Sequence, residues 1–195
     1  MSENKPISRT TIYAHGSLGM PMAVYGYPLA IWLGPHYSGV IGLDLATVGL
    51  ILMLARFTDV ITDPLIGEIS DRWRTPFGRR KHWLIIGTPV MLFGIFKLFI
   101  PPADAGLIYM LFWLTVFFLG STMIALPHRA WGAELSNDYH QRSRVTAGRE
   151  IYVLAGLLLA ATVPLIVEVL ADGGDSVFAV LLKIWNDKLF AHKFL

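Results

Sequence analysis

The chain has 195 residues, 54% of them hydrophobic and only 15% charged, with a formal net charge of +2 and a mean hydropathy of +0.55. Soluble domains carry roughly 25% charged residues, so the composition points to a membrane protein, and so small a net charge gives no basis for nucleic-acid binding. There is no cysteine, which excludes disulfides, thiolate metal sites and thiol nucleophiles.

A hydrocarbon core of ~30 Å takes about 20 mostly apolar residues per helix. Residues 1–11 read as a polar cytoplasmic tail without the layout of a secretory signal. The first span is expected over 12–33 and the second over 43–69. The third is expected over 83–100, ended by "PPADAG", and the fourth over 107–133. The fifth is expected over 145–170, ended by "DGGD". The fold class is therefore all-α, a polytopic membrane helix bundle with its body over residues 12–170.

Basic residues alternate along this order. Lys5 and Arg9 precede span one; Arg72, Arg74, Arg79, Arg80 and Lys81 follow span two; Arg142, Arg144 and Arg149 follow span four. The connections 34–42, 101–106 and 171–175 have no Lys or Arg. Basic loops stay in the cytoplasm, which places the N-terminus there, in a plasma (inner) membrane protein. The tryptophans, Trp32, Trp73, Trp83, Trp113, Trp131 and Trp185, fall near span ends or in loops and suit interfacial anchoring.

The tail 171–195 departs from this pattern. Phe178, Leu181, Leu182, Trp185 and Leu189 form one apolar stripe at helical spacing, in a run too short to span. Lys183, Lys188 and Lys193 would lie outside the cell. It reads either as an interfacial amphipathic helix or as the start of a truncated sixth span; the second is the expectation adopted.

Span two carries "RFTDVITDP", with Arg56, Asp59 and Asp63 at i, i+3 and i+7. About 3.6 residues per turn put the three on one face. A charge at mid-membrane costs about 2.5–3.5 kcal/mol on insertion scales and persists where it is paired or faces a cavity. A bare Arg56–Asp59 ion pair would lock two helices but would not need the second acid. Thr62 adds a hydroxyl, and Pro64 removes one N–H and crowds the carbonyl of Val60, which is expected to kink the helix and free backbone oxygens. Oxygen ligands with spare negative charge suit a small hard cation, Na+ or H+. Thr122 lies about as deep in span four as Asp59 does in span two, counting about 1.5 Å per residue, so the two can share one level.

Beyond the acids comes "GEISDRWRTPFGRRKHW". Gly67 sits one turn before Asp71-Arg72, and a Pro-Phe-Gly turn ending in Gly78 leads to Arg79 and Arg80. Read plainly, this is a solvated cytoplasmic loop that touches anionic lipid. The ordering also suits charge pairs between helix ends that form in one conformation and break in another.

The run "G-x-x-x-D-R … G-R-R" resembles the cytoplasmic loop signature of the major facilitator superfamily. The longer "D-x-x-T-D-P-x-x-G-x-x-S-D-R-x-R-T-P-x-G-R-R-K" resembles the glycoside–pentoside–hexuronide:cation symporters, the melibiose permease group. "LPHRAWGAELSNDYHQRSRV" is similar to the same group. The resemblance covers about residues 10–170 and implies the N-terminal half of a major facilitator fold, twelve spans in two six-helix halves, with cation-coupled sugar uptake by alternating access. It implies that Asp59, Asp63, Thr62 (where the group has Asn) and Thr122 bind the cation. It implies that Arg149 lies near the sugar, and that Gly67, Asp71, Arg72, Gly78, Arg79 and Arg80 form a cytoplasmic gate. Met20-Pro21 and Ala125 stand where the group carries sugar-binding charged residues, and Arg129 stands where it has a stacking tryptophan. His128 and Arg129 could instead meet an anionic group, or snorkel towards the cytoplasmic end.

The expected function is symport of a sugar or sugar-like solute with Na+ or H+, without other cofactors, in membrane lipid. Alternating access rocks two halves about a midplane site, so the chain is expected to act with a missing C-terminal half or a full-length transporter. The alternatives are a non-transporting module that assembles with a transporter, and a carrier of an anionic or lipid-like solute. No H-E-x-x-H, phosphate-cradling loop or Ser-His-Asp arrangement at one depth suggests an enzyme. "GSLG" reads as small-residue helix packing, and nearby His15 as a packed polar residue.

Overall fold

The computed structural model describes residues 6–171, apart from residues 40, 74, 77 and 103. Lys5, Arg74 and the tail 172–195, with its expected sixth span, lie outside the described residues. The described chain is all helix: α1 (Arg9–Gly16), α2 (Gly19–Ile31), α3 (Leu33–Gly39), α4 (Leu45–Arg72), α5 (Lys81–Phe99), α6 (Leu107–Glu134) and α7 (Tyr139–Ala171).

Four of these are long and apolar enough to cross a membrane: α4, α5, α6 and α7. They match expected spans two to five within a few residues, except that α7 begins six residues earlier, at Tyr139. Expected span one is corrected: it is α1, α2 and α3 in series rather than a single helix. Proline chemistry accounts for both breaks. Pro21 has no N–H to give the carbonyl of Ser17, which accepts from Met20 N instead. Pro35 likewise cannot bond the carbonyl of Ile31, and the chain turns at Trp32.

The other boundaries are set locally. Asp44 caps α4, its side chain accepting from the backbone N–H of Thr47 at 3.0 Å. α5 ends at Phe99 because Ile100 precedes Pro101 and is pushed out of the helical region, to φ −125° and ψ 66°. The side chain of Asp138 accepts from His140 N at 3.2 Å at the start of α7. Gly78 has φ +96°, the left-handed conformation that the turn between α4 and α5 requires.

α6 is central, packed on α5 and α4, while α7 packs on α1 and α2. The core joins Leu33 and Tyr37 of α3, Val48 and Ala55 of α4, Leu98 of α5 and Leu114 of α6, all fully buried. Leu50, Phe57, Ile61, Ile108 and Leu158 are exposed, as expected of lipid-facing side chains. Lipid tails are as apolar as leucine, so such helices associate through close packing and polar contacts. Gly120 lets α6 approach α5 so closely that a Cβ there would lie 2.5 Å from Met91 N. Gly156 does the same for α7 against α2, where a Cβ would run into the backbone of Met20. Trp83, expected at the interface, is instead buried at 5% exposure beside Trp73 and His82.

Candidate functional site

α4 runs unbroken through Pro64, so Arg56, Asp59, Thr62 and Asp63 stay on one continuous helix. α6 lies alongside, and Thr122 Oγ1 donates to Asp63 Oδ1 at 2.9 Å. Depth counting set Thr122 level with Asp59; the structure joins it instead to Asp63, one turn further along α4 and 59 positions away in sequence. Asp59 Oδ1 and Thr62 Oγ1 are buried and have no hydrogen-bond partner. An unsatisfied buried oxygen is costly, and two beside a carboxylate make a set of oxygens able to receive a hard cation or a proton. Among the described residues no group of three or more His, Asp or Glu is placed to hold a metal ion; the oxygens on this face belong to Asp59, Thr62, Asp63 and Thr122.

Arg56 pairs with Asp59, but loosely. Nη1 lies 3.5 Å from Oδ2 and the arginine side chain is 65% exposed, against 21% for the acid. Its guanidinium lies over the ring of Phe118, 4.2 Å from the centroid, a cation–π contact. The expected ion pair is present, therefore, but it is not a tight buried lock.

Arg56 also lines a polar cavity of about 310 Å³ between α2, α4, α6 and α7. Its other polar lining residues are Tyr25, Ser121, His128, Arg129, Arg149 and Glu150. Tyr25 Oη and Ser121 Oγ are hydrogen-bonded at 3.2 Å, and Arg149 bonds Glu150 through Nε and Nη2. The structure thus brings Arg149, His128 and Arg129 to one cavity, with Ala125 on the same wall. His128 is fully buried, its Nε2 3.0 Å from the carbonyl oxygen of His15, with the two imidazoles stacked at 4.2 Å. It is packed in place and does not snorkel; Arg129, one residue on, is exposed. A larger apolar pocket of about 640 Å³, lined by Val24, Trp32, Phe99 and Val163 among others, shares no residue with the polar cavity.

At the other end of α4, the basic loop closes on itself. Arg80 is 9% exposed at its side chain and reaches Asp71 Oδ1 at 2.6 Å and Glu134 Oε1 at 2.7 Å. It also donates to Ser70 Oγ at 3.1 Å. Arg79 pairs with the same Glu134. The ends of α4, α5 and α6 are therefore held by one charge network. Arg72 stays apart, paired with Glu68 on its own helix at 2.6 Å with both side chains exposed. Gly67 has open space where a Cβ would stand. Glu134 was missed in the sequence, although it is the first acid after span four and the basic loop needed counterions.

The family model described as MFS/sugar transport protein matches residues 13–183. The chain belongs to this family. It is 32% identical over 160 residues to the uncharacterized symporter sll1374 of Synechocystis sp., covering 77% of this chain and 29% of the relative. It is 29% identical over 143 residues to the inner membrane symporter YicJ of Escherichia coli, covering 72% and 31%. It is 30% identical over 155 residues to the sodium-dependent lysophosphatidylcholine symporter 1 of Gallus gallus, covering 77% and 29%. The chain spans about a third of the length of these relatives. Family and fold agree: this is a multi-pass integral membrane protein, the N-terminal part of a major facilitator fold of the glycoside–pentoside–hexuronide:cation symporter type.

Proposed function

We propose that the chain is the N-terminal half-bundle of a cation-coupled symporter. In this reading Asp59, Thr62, Asp63 and Thr122 bind the coupling ion, Na+ or H+. The cavity above Arg149 binds a sugar or sugar-like solute. The second half-bundle that alternating access requires comes from further chain or from another polypeptide. The network of Asp71, Arg79, Arg80 and Glu134 is then the cytoplasmic gate, with Gly67, Arg72 and Gly78 shaping its loop, in the plasma membrane with the N-terminus cytoplasmic.

The observation that carries this reading is the Asp63–Thr122 bond beside two buried, unpartnered oxygens, Asp59 Oδ1 and Thr62 Oγ1. Unpartnered buried oxygens are costly, and a bound cation would take them up together with the Asp63 carboxylate. Two further features support coupling. Ser121 lines the cavity while its neighbour Thr122 bonds Asp63, and Arg56 lines the cavity while pairing with Asp59. Ion and solute would therefore share α4 and α6.

The test is thermal melting of the purified chain in lipid nanodiscs with Na+, with Li+, or with choline across a pH series. A rise in melting temperature with Na+ or Li+ assigns a metal cation, and a response to pH alone assigns a proton. Asp59→Asn with Asp63→Asn should remove either response. An unchanged response in that double variant refutes the site.

A further inference from the structure

The junction between α1 and α6 is built around one imidazole. α1 packs chiefly along α7, and His15 reaches across to α6. Its ring stacks on His128 at 4.2 Å and stands edge-on to Trp131 at 5.5 Å. Gly132 makes room for it: a Cβ there would lie 2.6 Å from His15 Nε2. Two small cavities border the ring, of about 200 Å³ towards Ala133 and α7 and about 290 Å³ towards Leu18 and Leu135. Both imidazoles are buried, His15 at 5% exposure and His128 at 0%. His128 Nε2 carries a proton, since it donates to the carbonyl oxygen of His15 at 3.0 Å. Nδ1 of each ring is buried without a hydrogen-bond partner. The charged groups around the pair are cationic: Arg129 of α6, Arg142 and Arg149 of α7, and Lys81 of α5 over the ring of Trp131. Nearby Glu150 is already bonded to Arg149, and Glu134, further along α6, to Arg79 and Arg80.

We propose that His15 and His128 form a proton-operated latch that holds α1 against α6. With both rings neutral the stack holds. A proton taken up by either ring creates an imidazolium in a buried junction ringed by cations. An unpaired charge is costly there, and the neighbouring guanidinium groups oppose it. The cost falls when α1 swings off α6 and the charged ring meets water, by way of the cavities it already borders. Protonation therefore favours the open arrangement by its differential affinity for the two. The partners of Glu134 lie on α5, away from this joint, so α5 and α6 stay tied while α1 is released. Histidine changes charge between about pH 5 and 8, which sets the range over which the latch works. The latch goes beyond the symport reading and does not depend on it: Asp59 and Asp63 of α4 have no part in it.

The experiment measures the α1–α6 distance by pulsed electron paramagnetic resonance on the full chain in nanodiscs. The chain has no cysteine, so spin labels go on Tyr13→Cys of α1 and Ala133→Cys of α6, both exposed positions. A control pair joins Ile85→Cys, 63% exposed on α5, to Ala133→Cys. The pH is varied from about 8 to about 5, where histidine titrates and ordinary carboxylates stay ionised. The α1–α6 distance should lengthen reversibly on acidification, while the α5–α6 distance stays fixed. His15→Phe with His128→Asn keeps a ring for the stack and an N–H for the carbonyl but cannot titrate. It should hold the short distance throughout and lose the pH response. His15→Phe alone should already shift the midpoint, which keeps the test decisive if the double variant fails to fold. The latch is overturned if the parent distance is constant, if both label pairs lengthen alike, if the double histidine variant still responds, or if the midpoint in His15→Phe is unmoved. Asp59→Asn with Asp63→Asn should leave the response intact; its loss there would assign the proton to α4 and also overturn the latch. The two readings fail separately, because the cation test follows melting with Na+ or Li+ and this one follows a distance without either.

Discussion

Thr122 of α6 donates its hydroxyl to Asp63 of α4 at 2.9 Å, the polar bond that ties the central helix to the charged face of its neighbour. A hydrogen bond to a charged group is worth about 1.5–3 kcal/mol. Thr122→Val keeps the shape and removes that bond and its oxygen. On the proposed reading it should weaken stabilisation by the coupling ion by about tenfold or more, while Thr122→Ser, which keeps the hydroxyl, should behave nearly as the parent. A cation titration of melting temperature on the three proteins checks this; equal midpoints for Val and Ser would remove Thr122 from the site.

Arg72 at the end of α4 and Arg80 at the start of α5 predict unequal effects. Arg80 is almost buried and holds Asp71, Glu134 and Ser70 together. Arg72 touches only Glu68, with side chains 79% and 60% exposed. Exposed pairs contribute about 0–1 kcal/mol, whereas removing Arg80 strips charged hydrogen bonds from three helix ends and should cost about 2–3 kcal/mol. Arg80→Ala should therefore lower the melting temperature by several degrees and Arg72→Ala scarcely at all.

Close helix approach makes a third contrast. At Gly120 an added methyl would stand 2.5 Å from Met91 N, and backbone cannot retreat as a flexible side chain can. Overpacking of this kind costs about 1–3 kcal/mol, so Gly120→Ala should destabilise the α5–α6 pair. Gly49 of α4 has open space around the same position, and alanine there should be neutral or gain up to about 1 kcal/mol from helix propensity. Melting of the two variants side by side decides it; a stable Gly120→Ala would mean that α5 and α6 are not so tightly joined.

What the sequence revealed depended on how far apart the cooperating residues lie. The spans α4 to α7 were legible because twenty apolar residues leave few alternatives in a bilayer. The shared face of Arg56, Asp59 and Asp63 follows from helical periodicity alone. The breaks in span one were less visible: the segment is uniformly apolar, and hydropathy averages over Pro21 and Pro35, whose effect is a missing hydrogen bond at one carbonyl each. Glu134 was hidden because Arg80 meets it across 54 residues of chain, and nothing periodic joins them. The stack of His15 on His128 depends on α1 docking at α6, which no local pattern encodes. The convergence of Arg56, Arg129 and Arg149 on one cavity likewise came only with the packing of α4, α6 and α7.

Acid should loosen the start of α4 before it disturbs the bundle. Asp44 is fully exposed and accepts from the backbone N–H and the hydroxyl of Thr47, each at 3.0 Å. Those bonds favour the carboxylate and hold its pKa below the usual value. A depressed folded-state pKa adds stability that is complete above the unfolded value, near 3.8, and is lost as pH falls through the folded one. Protection of the first-turn amides of α4 against hydrogen exchange should therefore fall as pH drops below about 4, after correction for the intrinsic exchange rate. Asp44→Asn retains a capping oxygen but cannot titrate, so its protection should be independent of pH over that range. Asp44→Ala should be less protected at every pH. A pH-dependent Asn variant would show that another group governs this helix end.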